Sequence, residues 1–502
     1  MTAPASPDPV GPSGAAPADP RRVVAIVGGG ITGLAAACRL RAFDPNISVQ
    51  LFESSPRLGG VLQTERRGGY LLEQSADNFI TDTPIAVDFC GAVGIGGELL
   101  PTNSGNRRAG IVSRGHIEPL PAGFALLAPS QIGPLLTSRL LSPWGKLRIA
   151  CEYFVPRRRE SGDESFADFA RRRIGKEAYE RIAQPLVSGI YTADPERLSM
   201  QAALARFVEM ERRDRSLIRA AQRMRNASSN GNADEPTEAN GPRYSLFVAP
   251  REGMHAIVEA AEKQIPRESL HLSAQVQQIA PQHPKANTGW NLTWRSGNSS
   301  ATRELRADAV ILAVPSWSAA KLIEGIDSAL SGELGAIDYA GCTIALIGCR
   351  RDQLQRPLDG FGFVVPEVEK RPILACSYSS EKFPGRAPAG HVLLRVFLGG
   401  ACHPELNDLS EDRLRQLVLD QLRELLGFRG EPDLFQIVRW TRAMPQYYLG
   451  HTDRVARIER AMERYPTLAL AGNAYRGVGV PHCIQSGAAA ARRISDALLS
   501  AP

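Results

Sequence analysis

Cysteine is sparse, with eight in 502 residues: Cys38, Cys90, Cys151, Cys342, Cys349, Cys376, Cys402 and Cys483. None stands in a C-x-x-C pair, so zinc-type spacing is absent, and a chain this long needs no disulfide framework. Reduced thiols in a cytoplasm are the simple expectation. Unbroken apolar runs are lacking too. The longest stretch free of charge, "PLPAGFALLAPSQIGPLLTS" from Pro119 to Ser138, carries Pro119, Pro121, Pro129 and Pro134. These break any single spanning helix, which leaves resting on a membrane face or lining an apolar pocket. Residues 1–20 hold Pro, Ala and Gly without an apolar core, which reads as a disordered tail and not as a secretory signal. No basic–aromatic nucleic-acid motif occurs and no internal repeat is visible.

What remains is ordinary for a folded protein: 43% hydrophobic, 22% charged and a formal net charge of +6. The length suits two or three domains of roughly 150 residues each. Part of the basic excess lies in Arg157–Arg158–Arg159 and Arg171–Arg172–Arg173, which read first as solvated faces and second as contacts to an anionic membrane.

The informative stretch is "VVAIVGGGITGLAAACRL". A β-branched strand from Val23 to Val27 runs into glycines and then into a helix over Thr32–Leu40, with a second strand expected at Ile47–Glu53. Gly28, Gly30 and Gly33 fit G-x-G-x-x-G in this context. Gly28 permits a tight turn, Gly30 lets a pyrophosphate approach the backbone, and Gly33 lets helix and strand pack closely. Phosphates would then meet free N–H groups at the helix start. Glu53 stands twenty residues past Gly33, where an acid binds a ribose hydroxyl in dinucleotide sites.

Further along, helical periodicity with frequent Arg is expected from Gly91 to about Arg225. A polar insertion follows at Asn226–Pro242. Strands come next, "LHLSAQVQQIA", "WNLTWR" and "ADAVILAVP", then β-structure over Ala340–Gly400, a helix at Glu411–Leu426, and a closing strand "LALAGN" with a helix after Pro481. Dinucleotide-type pieces occur at both ends and in the middle, so that domain is discontinuous.

"SSPRLGG", Ser54–Gly60, resembles the extension of the flavin-dependent amine oxidase superfamily, in which Arg57, Gly59 and Gly60 would pass beside an FAD diphosphate. Several other stretches resemble the oxygen-dependent protoporphyrinogen oxidases and their bacterial relatives that oxidise coproporphyrinogen III. They are "GGYLLEQSADNFI", "PLVSGIYTADPERLSM", "DGFGFVVPEVEKRPILACSYSSEKFPGRAPAG", "WTRAMPQYYLGH" and "AGNAYRGVGVPHCIQSG". The resemblance covers about Val23 to Ile494. It implies an α/β fold (α+β overall): a discontinuous Rossmann-like FAD-binding domain (23–90, 243–318 and 436–502), a β-sheet substrate domain (319–435) and a helical membrane-associated domain (91–225). Residues 1–22 are the tail and 226–242 the insertion.

The resemblance implies noncovalent FAD held at Gly28, Gly29, Gly30, Ile31, Thr32 and Gly33, then at Glu53, Ser54, Arg57, Gly59, Gly60 and Val61. It adds Ser75, Ala76, Asp77 and Asn78, together with Val276 and Trp440, and at the far end Gly472, Val478, Gly479 and Val480. Ser75 stands where relatives commonly have glycine, and His482 where aspartate is usual. The reaction implied is dehydrogenation of protoporphyrinogen IX or coproporphyrinogen III, with oxygen as acceptor and hydrogen peroxide released. The flavin carries that chemistry, so no catalytic side chain and no metal is assigned. A cation for the propionates falls to Arg108, with Arg107 second; either can equally be a solvated arginine. A peripheral membrane contact is implied, nucleic acid is not, and a homodimer is left open. The rival readings are an amine oxidase or carotenoid desaturase of the same fold, or a flavin-stabilised assembly factor without turnover.

Overall fold

A computed structural model of the chain describes residues 22–106, 108–129, 131, 133–158, 160, 162–229, 247–283, 288–297 and 301–500. Its organising element is a five-stranded parallel sheet assembled from distant segments, in the order Leu270–His271, Ser48–Phe52, Val23–Val27, Ala309–Leu312 and Leu468–Leu470. The strand Val23–Val27 is buried on both faces, as its β-branched run requires. Val24 and Ile26 join the core beneath helices Ile31–Phe43 and Val480–Leu499. Ala25 and Val27 face the opposite core, built on the antiparallel strands Ala274–His283, Thr288–Ser296 and Thr302–Ala307. The discontinuity expected from the sequence is thus drawn out in strand order.

A seven-stranded sheet forms the second layer system: Leu434–Pro445, Tyr339–Arg350, His391–Gly399, Ala375–Tyr378, Gly362–Val364, Gly110–Ser113 and His116–Pro119. Alternation decides its faces. Ala345, Ile347, Val392, Leu394 and Val396 pack on helix Glu411–Leu426, which Ser410 caps by accepting from the Arg413 N–H. Ile344, Leu346, Leu393 and Val438 meet Tyr70 and Leu72 instead. The last two strands correct the helical reading of Gly91 onward. Gly110 pairs with Phe363, so this hairpin belongs to the large sheet, and the helical stretch begins at Gly133. The "GIVSRGHIEP" alternation, with a turn at Arg114–Gly115, was the strand signal that frequent arginine masked.

The helical part also corrects the reading of Arg171–Arg172–Arg173 as a solvated face, while Arg157 is exposed as expected. Arg173 is 0% exposed and meets the equally buried Glu152, together with Glu211 at 3.3 Å. Arg172 binds Glu211 at 2.6 Å and Glu164 at 2.8 Å, while Arg158 reaches Glu160 at 3.1 Å. Glu152 in turn accepts from Ser216 Oγ at 2.6 Å and from the Leu217 N–H at 2.8 Å, capping helix Leu217–Ser229. One carboxylate therefore satisfies a guanidinium and the orphan donors of a helix start. The insertion expected at 226–242 begins inside that helix; 230–242, Arg159 and all of the tail except Arg22 lie outside the described residues. In the Pro119–Ser138 stretch, Phe124, Leu126, Leu127 and Leu135 are buried in the helical core. No helix of the described residues is long and apolar enough to cross a membrane.

Removing Arg173 strands a buried carboxylate. Arg173→Met should destabilise the protein by about 3–5 kcal/mol in urea unfolding, and the double variant with Glu152→Gln by less. A loss below about 1 kcal/mol would mean the pair behaves as an exposed one.

Candidate functional site

The glycine loop is shaped by what its missing side chains would hit. A Cβ on Gly28, whose φ is +109°, would stand 2.4 Å from the Ala313 carbonyl oxygen, and one on Gly33 would stand 1.9 Å from the Gly28 oxygen. Strand and helix therefore touch backbone to backbone. Gly30 differs: a Cβ there would meet nothing within 4 Å. The space above it is open, and Gly30 caps helix Ile31–Phe43 without any side-chain hydrogen bond. The backbone N–H groups of Ile31, Thr32 and Gly33, all buried residues, make up the positive end of that helix dipole.

The Ser54–Gly60 extension closes over this loop. The Gly59 N–H donates to the Gly29 oxygen at 2.8 Å, and Gly60 lies against Gly30 Cα. Glu53 accepts from the Gly29 N–H at 2.7 Å and the Ser55 N–H at 2.8 Å, and the Ser54 hydroxyl lies 3.3 Å from it. Arg57 donates to the carbonyls of Leu58 and Gly60 at 3.1 and 2.8 Å. Burial lowers its pKa and the nearby Glu53 carboxylate raises it, with a net lowering. Val61 is an exposed apolar side chain beside them. Val276 borders a bulge in the adjoining antiparallel sheet.

The far end of the chain reaches the same place. Gly487 packs so tightly that a Cβ would lie 2.2 Å from the Thr32 oxygen, which locks helix Val480–Leu499 to helix Ile31–Phe43. The loop before it is held by Tyr447, whose hydroxyl accepts from the Gly477 N–H at 2.8 Å and donates to the Asn473 oxygen at 2.5 Å. Gly472, with φ +137°, donates to Ser486 Oγ at 3.0 Å. Val478, Gly479 and Val480 then open the helix, again with no side-chain cap. His482 is exposed in its first turn.

Ser75–Asn78 is gripped from the large sheet. Trp440 Nε1 donates to the Gln74 oxygen at 2.7 Å, and Arg395 donates to the Ser75 oxygen. Asp77 binds Lys382 at 2.8 Å and Arg395 at 3.1 Å, with Asn78 Nδ2 at 2.6 Å. Burial pushes the Asp77 pKa up, but the two cations outweigh it and hold the carboxyl well below its usual range. Ser75 is not among the described residues with positive φ, so serine is accommodated where glycine was expected. Ala76 packs on the core beneath the parallel sheet. Arg108 lies apart, 69% exposed and 3.4 Å from Asp359, and Arg107 is outside the described residues. Among the described residues no cluster suits a metal ion.

These residues fit a dinucleotide: two uncapped helix starts, a glycine cradle with open space, and an acid at the end of the second strand. The flavin-containing amine oxidoreductase family matches residues 31–495. The chain belongs to this family. Within it, the coproporphyrinogen III oxidase of Propionibacterium freudenreichii is 34% identical over 95% of this chain and 91% of its own length. The Bacillus subtilis coproporphyrinogen III oxidase is 30% identical over 96% and 98%. The crystal structure of a protoporphyrinogen oxidase candidate from Exiguobacterium superposes with a TM-score of 0.81, at 28% identity over 95% of this chain and 99% of that one. The resemblance to the porphyrinogen oxidases is borne out along the whole flavin-oxidoreductase chain, and with it a flavin cofactor.

Sequence reasoning passed over three residues of this chain that the structure brings to the site. Lys382 and Arg395 hold Asp77; the lone charge inside "VLLRVFLGG" was the available signal, since a cation in a buried strand needs a partner. The third is Glu73. Its carboxylate accepts from the Met254 N–H and from Thr64 Oγ1, both at 2.8 Å, and so caps the helix His255–Glu262 that supports the Gly59 turn. Burial pushes its pKa up from 4.5 to about 7, against those hydrogen bonds. The folded state therefore holds this proton longer than the unfolded chain, and the stability it contributes at pH 4.5 is lost as pH rises through 7. Relative to Glu73→Gln, wild type should lose up to about 3 kcal/mol between pH 5 and 7.5, read from denaturant midpoints. Parallel pH profiles would show that the carboxyl titrates normally.

Proposed function

We propose that this chain is an FAD-dependent porphyrinogen oxidase of haem biosynthesis. In this reading it dehydrogenates coproporphyrinogen III in preference to protoporphyrinogen IX, with oxygen as electron acceptor. The carrying observation is the glycine cradle, with Glu53 and two uncapped helix starts, in a chain similar over nearly its full length to coproporphyrinogen III oxidases. Bound FAD supplies hydride acceptance from the substrate and electron transfer to oxygen, which yields hydrogen peroxide. The chain's own task is to bind and orient. Gly30 gives the pyrophosphate its approach, Glu53 meets a ribose, and the residues at 472–480 close over the ring end. Noncovalent binding is supported by Cys483, a buried thiol whose pKa burial raises to about 11 and which is therefore a poor nucleophile at neutral pH.

A large tetrapyrrole needs a fixed cation for its carboxylates. Arg108 supplies it here: among the described residues its charged contact within salt-bridge distance is the exposed Asp359, whose place a propionate takes. Heat should release a flavin that chromatographs as FAD, and kcat/KM should be higher for coproporphyrinogen III than for protoporphyrinogen IX. Arg108→Ala should raise KM by roughly tenfold or more, as loss of a charge-assisted hydrogen bond of about 1.5–3 kcal/mol implies, with a smaller change in kcat. A colourless folded protein, or amine-dependent peroxide without porphyrin fluorescence, would overturn the reading.

The protein also works, in this reading, on the cytoplasmic membrane face. Trp144 (79% exposed), Leu147 and Phe154 (80% exposed) run along helix Pro143–Ala150 and the turn Cys151–Phe154, with Leu136 and Tyr153 beside them. Lys146 lies against Leu136, and Arg219 covers Tyr153 at 3.9 Å. Exposed aromatic and aliphatic tips beside cations suit shallow insertion at an anionic lipid surface. Flotation with anionic liposomes should recover wild type and fail for Trp144→Ser/Phe154→Ser. Equal recovery of both would remove this patch from the account.

A further inference from the structure

The seam between Ser75–Asn78 and the large sheet holds more positive charge than it balances. Lys382 and Arg395 share one carboxylate, Asp77, and all three side chains are largely buried. Around them, Arg395 Nε, Ser75 Oγ and Ser377 Oγ are buried without a hydrogen-bond partner, and Ser377 is the register partner of Arg395 across the sheet. The neighbouring charges do not cancel the excess. Glu73 approaches Arg395 and Arg386 and carries a proton more readily than an ordinary carboxyl, while Arg386 spends its donors on the carbonyls of Pro250 and Arg251. A surplus cation in a low-dielectric seam, ringed by unused donors, calls for an anion nearby.

The seam also has a fixed position. Residues 75–78 lead directly into Phe79–Ile80, which packs on helix Val480–Leu499, and Trp440 roofs the same segment from the sheet. It therefore bridges helix Val480–Leu499 and the seven-stranded sheet. Given FAD bound as proposed above, the group there that gains negative charge during the reaction is the flavin itself, on reduction.

We infer that Lys382, Asp77 and Arg395 form a fixed unit of net positive charge that raises the two-electron reduction potential of the bound flavin, with Lys382 and Arg395 as positioning residues. The cluster counts two cations against one anion, and the potential follows that count. This charge favours the reduced flavin and so drives electrons out of the porphyrinogen. Trp440 and the Ser75 carbonyl keep the cluster from relaxing away when the charge appears.

The test uses flavin-loaded protein under anaerobic conditions, with a redox dye for the potential and sulfite as a probe whose adduct is favoured by the same positive charge. Lys382→Met reduces the net charge to zero. It should lower the potential and weaken sulfite binding about tenfold, a change in equilibrium constant that corresponds to about 30 mV for a two-electron couple. Lys382→Arg keeps the charge and should keep the wild-type potential. Asp77→Asn should shift both readouts the opposite way, and Asp77→Asn/Lys382→Met, with net charge restored, should return to wild type. Potentials that do not move in Lys382→Met, or a double variant that falls below Lys382→Met, would overturn the inference. A wild-type protein that takes up no flavin would instead overturn the FAD reading beneath it.

Discussion

The structure depends on backbone touching backbone where two helices meet the parallel sheet. Gly33 lies against the Gly28 carbonyl, and Gly487 lies against the Thr32 carbonyl, each closer than any side chain permits. These contacts bring the starts of helices Ile31–Phe43 and Val480–Leu499 to one crevice, though the two lie at opposite ends of the chain. Both helix starts lack side-chain caps, so their N–H groups are left for a ligand. Had either glycine carried a methyl group, the helices would separate and the crevice would lose its two positive ends.

The large sheet is attached to this crevice through polar groups. Trp440, Arg395 and Lys382 reach across to Gln74, Ser75 and Asp77, while Tyr70 and Leu72 supply the apolar part of the contact. Buried charges of this kind cost desolvation and add little net stability. Their value is geometric: they set the distance and orientation between the seven-stranded sheet and the segment Gln74–Asp77. The Arg173–Glu152–Glu211 network does the same for the helical part, where it ties three helices beneath the exposed Trp144–Phe154 stripe.

Much of the fold was legible because its signals were local. The strand–glycine–helix opening, the helix at Glu411–Leu426 and the closing strand with its small-residue helix follow from period, glycine spacing and caps. The hairpin at Gly110–Pro119 was misread because its partner, Gly362–Val364, is far away in sequence and only pairing shows it to be a strand. The arginine run 171–173 was misread for a related reason. Solvation and burial look alike in sequence, and Glu152 and Glu211 are too distant to be recognised as its counter-ions. At the candidate site, the residues of the glycine loop could be grouped in advance since one turn brings them all together. Lys382 could not, because its meaning depends on Asp77, which a segment distant in sequence presents.

The route of the chain through the parallel sheet has a consequence for biosynthesis. Strand Leu468–Leu470 completes a sheet whose first strand in the chain begins at Val23, so all the residues between them must leave the ribosome before that sheet can close. Until then the faces of Val24, Ile26 and Leu34 lack their final cover, and the nascent protein presents an apolar edge that chaperones can hold. The same order holds for the crevice, since the second helix start at Gly479 follows all five strands of that sheet in the chain. The glycine cradle at Gly28–Gly33 therefore stands without its second helix start until the strands between them have been made.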